Sequence, residues 1–272
     1  MKIKPQKKYI KIFLILQVFV FINACRPASE KIYNEAYNEI EKGHFRVAAN
    51  FLEKSAELEL NNSTKNKYLL EAARIIRFEI QDYERAIRVY RKIILNSQEE
   101  NKRISAQKAI AEIYLENLFN YNKALKELQI LEPLIKNTND KEKIKLKIVL
   151  TQYLTGNFNQ ALEEINTALL SAKDEILNFL KMKAQVLVAQ KKYKEAIAIY
   201  LEIFSRDAKY FESENLFIAT SVVYEENEEY AEALQYLVKH KAQIKDKSYY
   251  ELRYKRLKER LVNKPFYKGK RK

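Results

Sequence analysis

The chain has 272 residues, of which 47% are apolar and 32% charged, with only 3 glycines and 4 prolines. So few backbone breakers exclude a turn-rich β-sandwich, and the abundance of Lys, Glu, Ala, Leu and Ile favours an all-α fold. The single cysteine, Cys25, excludes a disulfide framework.

The net charge of +14 is concentrated at the two ends of the chain. Residues 1–24 contain five lysines and no acidic residue, and residues 239–272 contain 14 basic and 3 acidic residues. The stretch between them, 25–238, has 31 basic and 33 acidic residues and is nearly neutral. The total charge therefore does not indicate a nucleic-acid partner, and we expect none.

The first 25 residues have the pattern of a secretory signal. Five lysines precede an apolar run, Ile12–Ile22, and the small residue Ala24 stands just before Cys25. The run is shorter than the about 20 apolar residues that a membrane span needs. With an aliphatic residue three positions before the cysteine, the segment resembles the signal of bacterial lipoproteins. An uncleaved anchor and ordinary secretion are the alternatives.

The lipoprotein resemblance implies that residues 1–24 are a signal peptide and that Cys25 carries the lipid, including a palmitate-type chain. Residues 25–30 would form a short tether, because the first helical pattern starts at about Ile32. The first repeat would then lie against the lipid headgroups. The implied location is a membrane of the bacterial cell envelope, facing the periplasm. The outer membrane is favoured over the inner, and surface exposure stays open.

Six copies of one short pattern follow: an aromatic residue, two mostly polar residues, an alanine, and an aliphatic residue or second alanine. The steps between successive alanines are 38, 38, 37, 35 and 37 residues. Such a period is typical of a helical repeat array, in which a small residue lets two helices cross closely. The predicted packing residues are Ala48, Ala86, Ala124, Ala161, Ala196 and Ala233.

Each copy predicts two helices, A and B, separated by a short breaker such as Lys42-Gly43-His44. The pattern resembles the tetratricopeptide repeat (TPR) family, whose unit of about 34 residues has Tyr-x-x-Ala on helix B. The resemblance implies a right-handed α-solenoid of about six helix-turn-helix units over residues 31–244. The predicted units are 31–62, 66–98, 102–137, 141–173, 176–208 and 213–244.

A further helix is predicted over residues 246–263, with Ser248 as its N-cap and an apolar face that covers the last unit. Residues 264–272 form a basic tail. Either this region is a solvated cap and tail, or it contacts anionic lipid headgroups.

In the TPR family, helix A lines a concave groove that holds a protein partner. Counting back from each alanine gives a partly apolar groove, suited to an amphipathic helix or an extended segment. The alternative for each of these side chains is a place in the core. The predicted groove residues are Tyr33, Tyr37, Ile75, Ile113, Leu150, Lys181, Gln185 and Val222.

The sequence contains no recognisable group of catalytic residues. The only histidines, His44 and His240, have no neighbouring metal ligands, and no glycine-rich phosphate loop is present. We therefore expect no enzymatic activity, no cofactor and no metal.

The arrangement of a lipoprotein signal followed by five or six TPR units is similar to the BamD-type lipoproteins of outer-membrane protein assembly. The resemblance implies a lipid-anchored scaffold for protein–protein interactions in the bacterial envelope, with protein partners of unknown identity. Two other functions stay open. One is a surface lipoprotein that binds host or extracellular ligands, and the other is an accessory subunit of a cell-wall enzyme.

Overall fold

The computed structural model describes residues 27–263, which form 14 α-helices and, within that range, no strand. The chain divides after Glu127 into two compact units. The predicted all-α, helix-turn-helix fold is confirmed. The signal segment, Cys25 and the basic tail lie outside the described residues.

The first unit is built from three helix pairs, and each helix from α1 to α4 packs against the next one in the chain. Two of its A helices, α3 and α5, continue as π-helical segments, Ile76–Ile80 and Ile113–Asn117. Its helices are α1 (Ala28–Glu41), α2 (Phe45–Leu58), α3 (Asn62–Ile75), α4 (Tyr83–Asn96), α5 (Glu100–Glu112) and the first part of α6 (Tyr121–Leu131).

The second unit contains three further pairs, α7 with α8, α9 with α10, and α12 with α13, followed by α14, which packs against α13. The short helix α11 was not predicted; it is held in place by the fully buried Phe211. The helices are α7 (Thr138–Leu154), α8 (Phe158–Leu169), α9 (Ile176–Ala189), α10 (Tyr193–Arg206), α11 (Ala208–Ser213), α12 (Leu216–Glu226), α13 (Tyr230–Lys239) and α14 (Lys247–Val262).

Two of the A helices, α3 and α7, are capped by side chains in the polar stretches between pairs. The side-chain oxygen of Asn61 accepts a hydrogen bond from the Thr64 N–H at 3.1 Å, and Asn137 caps α7 in the same way. Such a cap satisfies a backbone donor that would otherwise have no partner. At α14 the cap is Asp246, so the prediction of Ser248 is wrong.

The first helix begins at Ala28, so residues 28–30 are helical and the predicted tether is too long. Pro27 stands just before this helix, where its missing N–H costs no helical hydrogen bond. Only residues 26 and 27 then separate Cys25 from the first repeat.

The turn between helices A and B has the same conformation in all six pairs. Two residues before each aromatic, one residue adopts a left-handed backbone conformation. In the first pair, this residue is Gly43, and the next N–H, of His44, bonds back to the Glu39 carbonyl at 2.8 Å. Glycine adopts this conformation at no steric cost. The six residues are Gly43, Gln81, Phe119, Gly156, Lys191 and Glu228.

The six repeat alanines have no exposed surface. Each sits in a core built from its own pair and the neighbouring helices, as in Ala86 beside Tyr90 in the first unit and Ala196 beside Tyr200 in the second. Among residues 27–263, no helix has the length and apolar character required to cross a bilayer.

Candidate functional site

The two π-helical segments lie side by side in the first unit. Each of these segments lies within one of the two 38-residue steps between repeat alanines, which are the longest steps in the array. The guanidinium of Arg77, in the first segment, donates to Glu112 Oε2 at 3.4 Å and lies 3.9 Å from Glu116 Oε2. A π segment accommodates an inserted residue and is often found at a functional site.

Next to these segments, α3 and α5 border a cavity of about 390 Å³ with α4 beneath it. We call it the A-helix groove, because both walls are A helices. Its side chains recur every three or four residues along each wall, which places them on one helix face. The lining residues are Asn66, Leu70, Arg74, Arg77, Phe78, Tyr90, Ile93, Asn101, Lys102, Ser105 and Ala109.

Two polar atoms in the groove are buried without a hydrogen-bond partner among the described residues. They are Oδ1 of Asn66, a residue that is only 2% exposed, and Nε of Arg77, a residue that is 8% exposed. Such atoms are rare in folded proteins, because each costs about 1–3 kcal/mol when it is left unsatisfied. Both atoms are themselves buried, so they lie within the walls of the groove and are not open to a ligand.

The groove carries positive charge. Three of its side chains are cationic, and no acidic side chain lines it in the part of the chain that the structure describes. Lys102 is paired with Glu99 at 2.6 Å, and Arg77 with Glu112. Arg74 is exposed and has no ion pair among residues 27–263. The groove therefore offers one cation whose charge is not yet balanced.

The floor of the groove is apolar apart from one hydroxyl. Ile93 and Tyr90 of α4 are buried there. Burial raises the pKa of Tyr90 above its ordinary value, although the nearby Arg77 and Arg74 act to lower it. The phenol therefore stays neutral at physiological pH and can donate a hydrogen bond.

The predicted residues Tyr33 and Tyr37 lie on α1, next to α3. The Tyr33 ring stacks on Tyr68 with centroids 4.4 Å apart, and its hydroxyl donates to Glu71 at 3.2 Å. Burial and the Glu71 carboxylate raise the pKa of Tyr33. Tyr37 packs on Tyr33 but is 49% exposed. Tyr33 thus joins two A helices, and Tyr37 is available to a partner.

Two other predicted residues of the first unit point elsewhere. Ile75 is half-buried and packs against the core. Ile113 has no exposed surface, so it cannot contact a partner and is removed from the predicted groove set. The groove is lined instead by Arg74, one residue before Ile75, and by Ala109, one helical turn before Ile113.

In the second unit, the predicted Lys181 is already engaged. Its ammonium lies 2.7 Å from Glu214 Oε2 and 5.8 Å from the centre of the Tyr210 ring. Burial acts to lower the pKa of Lys181, but the hydrogen bond that Lys181 donates to Glu214 and the interactions with Tyr210 together outweigh burial and raise the pKa. Leu150 packs against the core. Gln185 and Val222 are half-buried, and their role stays a prediction.

The remaining buried charges of the second unit hold helices together. Glu225 of α12 is 2% exposed and bonds to Arg253 of α14 at 2.5 Å, with Arg256 at 2.9 Å. Glu142 accepts three backbone N–H groups from the loop over residues 173–175, at 2.9 to 3.1 Å. These contacts tie the last helix and one loop to their neighbouring repeats.

The two histidines lie in different units. His44 is exposed and bonds to Glu39 at 2.7 Å. His240 is buried, its ring stacked on Phe217 with centroids 4.4 Å apart, and burial lowers its pKa. Within residues 27–263, no three His, Cys, Asp or Glu side chains come together as metal ligands.

Comparison with known proteins finds the TPR fold. A TPR protein from Parabacteroides merdae matches with a TM-score of 0.58 and 17% identity, over 87% of this chain and 88% of that one. YrrB, a TPR protein with an unusual peptide-binding site, matches with a TM-score of 0.51 and 14% identity, over 69% of this chain and 91% of that one. These identities show the fold alone.

A third match is larger than this chain. A signal transduction ATPase with numerous domains and a TPR sensor, from Pyrococcus horikoshii, has a TM-score of 0.59 and 15% identity. The alignment covers 85% of this chain but only 38% of that protein. No family model and no curated protein matches the sequence.

Proposed function

We propose that this protein is a scaffold that holds a segment of a partner protein in the A-helix groove. The observation that carries the proposal is the groove itself, which has an apolar floor and an exposed Arg74 with no ion pair among the described residues. The fold gives general support, because helical repeats present extended surfaces for binding. One neighbour of the same fold, YrrB, is described as having a peptide-binding site.

The second part of the proposal is that a lipid on Cys25 attaches the scaffold to a membrane of the bacterial envelope. The lipoprotein-like signal segment supports it. Because α1 starts at Ala28, the two residues between it and Cys25 can span only about 10 Å. The first repeat would then stay close to the headgroups. A role in outer-membrane protein assembly is the most specific part of the proposal, and it depends on the identity of the partner.

A photo-crosslinking experiment in intact membranes tests the groove. The photoreactive p-benzoylphenylalanine replaces Phe78, which lines the groove and is 60% exposed. The matched control is the same substitution at Phe119, which is 65% exposed and does not line the groove. We expect a discrete crosslinked protein from position 78 and not from position 119. Equal products from both positions, or none from position 78, would contradict the proposal.

Metabolic labelling with an alkyne fatty acid tests the anchor. The full-length protein should take up the label and sediment with membranes, whereas Cys25→Ala should do neither. An unlabelled wild-type protein, or a Cys25→Ala protein that stays labelled, would rule out lipidation at this residue. Mass spectrometry of the product crosslinked at position 78 tests the proposed role in outer-membrane protein assembly. If the crosslinked partner is a component of the outer-membrane assembly machinery, the role is supported. If the partner is an unrelated protein, the role is refuted.

A further inference from the structure

The exposed leucines of the first unit lie together at one edge of its helices. Leu58 ends α2 and Leu60 lies in the connection to α3, and their side chains are 47% and 96% exposed. Leu95, near the end of α4, is 82% exposed. No other leucine of the first unit is exposed in the part of the chain that the structure describes. Single exposed leucines are ordinary on a protein surface, whereas a group at one edge indicates a contact.

Hydrogen bonds place the start of α1 at the same edge. The hydroxyl of Ser29, in the first turn of α1, donates to Glu59 Oε2 at 2.9 Å, in the connection after α2. The hydroxyl of Ser63, at the start of α3, donates to Glu99 Oε1 at 3.1 Å, in the connection after α4. The start of α1 and the two connections therefore form one continuous surface. We call it the loop edge, and its apolar residues are Leu58, Leu60 and Leu95.

The lipid proposed on Cys25 places a membrane next to the loop edge, so this inference rests on the anchor of the proposed function. Two residues separate Cys25 from Ala28, where α1 begins, and they span only about 10 Å. The opposite edge of the unit, at the turn that contains Gly43, is farther away. The 14 residues of α1 extend for about 21 Å. A lipid on so short a tether reaches the loop edge and not the turn edge.

The exposed side of α1 is the other surface within reach of the lipid, and it is polar. Tyr37 is the only aromatic or aliphatic residue on it. Burying charged and amide groups away from water is unfavourable, whereas burying apolar side chains is favourable. The loop edge is thus the surface suited to contact hydrocarbon. The exposed residues of α1 from its second turn onward are Lys31, Asn34, Glu35, Tyr37, Asn38 and Glu41.

Charged side chains of both signs surround the leucines. Glu59 and Glu99 lie at the loop edge beside Lys65 and Lys102, and Lys102 is already paired with Glu99 at 2.6 Å. Such a mixed rim has no strong preference for anionic lipids, so the apolar side chains make the main contact. We therefore expect the contact to form on a bilayer of uncharged lipid.

We propose that the loop edge of the first unit rests on the membrane that holds the lipid of Cys25, with Leu60 and Leu95 inserted among the acyl chains next to the headgroups. Leu58, which is half-exposed, lies at the margin of the contact. The helices of the first unit then stand upright on the bilayer, and the turn edge points away from it. Inserted leucines fix the orientation of the unit, which a lipid on a short tether alone does not.

The test uses the full-length lipoprotein, purified in detergent and reconstituted into phosphatidylcholine vesicles. The environment-sensitive dye NBD is attached to a cysteine introduced by Leu60→Cys or Leu95→Cys. The sulfur of Cys25 is bonded to the lipid, so the introduced cysteine is the one that reacts. Lipids with a spin label near the headgroup quench a dye that lies in the bilayer, and iodide quenches a dye that lies in water.

We expect the dyes at positions 60 and 95 to lose most of their emission to the spin-labelled lipid and little to iodide. The matched control is Val47→Cys. Val47 is 42% exposed near the start of α2, roughly 16 Å along the helix from Leu58. Its dye should be quenched by iodide and not by the spin-labelled lipid. A circular dichroism spectrum identical to that of the wild type establishes that each variant is folded.

Three results would overturn the inference. They are a dye at position 60 that only iodide quenches, equal lipid quenching at positions 47 and 60, and a dye at position 60 that neither quencher reaches. The last result would mean that a second copy or another part of this chain covers the loop edge.

Fatty-acid labelling of Cys25 separates this inference from the anchor itself. If the protein takes up the label while the dye at position 60 stays in water, the anchor stands and the membrane contact of the loop edge is wrong. If the protein takes up no label, both fail.

Discussion

Replacing Lys191 with glycine should stabilise the second unit. Lys191 has φ of 60° in the turn before α10, and a left-handed conformation costs a non-glycine residue about 1–2 kcal/mol. Glycine removes that cost, but it also makes the unfolded chain more flexible, which lowers the free energy of unfolding by about 0.4–1 kcal/mol. The net gain in the free energy of unfolding is about 0.5–1 kcal/mol. Gly156→Ala should lose a similar amount. A Cβ at Gly156 meets nothing within 4 Å, so its cost comes from the backbone alone.

Urea unfolding followed by far-ultraviolet circular dichroism measures both changes. With a slope of about 2 kcal/mol per molar urea, Lys191→Gly should raise the midpoint by about 0.3–0.5 M. The control is Lys194→Gly, at an exposed position in the first turn of α10, which should lower stability by about 1 kcal/mol. If both substitutions lowered the midpoint equally, the left-handed turn would not be strained and the reasoning would fail.

Three further substitutions test contacts of the second unit. Ala196 has no exposed surface, so Ala196→Leu should lower the free energy of unfolding by about 1–3 kcal/mol through overpacking. The control is Ala198→Leu, on the exposed side of the same helix, which should leave the thermal midpoint unchanged. Arg253→Met should lower the urea midpoint by the equivalent of about 1.5–3 kcal/mol, because the buried Glu225 loses a charged hydrogen bond. Glu142→Gln should lower the urea midpoint at pH 7, and the midpoint of this variant should fall less than that of the wild type as the pH is lowered.

The sign of the pH effect follows from the hydrogen bonds. Burial acts to raise the pKa of Glu142, but three backbone N–H groups outweigh it and hold the pKa below its ordinary value of 4.5. The stabilisation is therefore complete above about pH 4.5 and is lost as the pH falls through the lower folded value. Midpoints measured between pH 3 and pH 7 show it. Identical pH profiles for wild type and Glu142→Gln would refute the role of the carboxylate. For the alanine pair, equal effects of Ala196→Leu and Ala198→Leu would refute close packing at Ala196.

The helix-B half of the fold could be predicted because its signal is local and regular. An aromatic residue three positions before an alanine recurs six times, and tight helix crossings need that small residue. The left-handed turn two residues before the aromatic carries a weaker signal. Only Gly43 and Gly156 mark it by residue type, and positions such as Phe119 and Lys191 adopt it because the surrounding helices impose it.

Helix A was harder to predict, and the candidate groove lies on helix A. Counting back from Ala86 assumes an uninterrupted α-helix. The π segment over Ile76–Ile80 inserts one residue, so the count arrives at Ile75 where the groove has Arg74. The 38-residue steps were the only trace of this insertion in the sequence. Asn66 gave no signal, since its burial depends on helices that are distant in the chain.

The central claim is that the A-helix groove holds a partner through Arg74. The most direct measurement is the yield of the photo-crosslinked product from position 78 in native membranes, compared between wild type, Arg74→Ala and the control Arg88→Ala. Arg88 is exposed on α4 and does not line the groove. The account predicts one product that falls severalfold in Arg74→Ala and is unchanged in Arg88→Ala. A product whose yield is the same in all three proteins, or no product from the wild type, would contradict it.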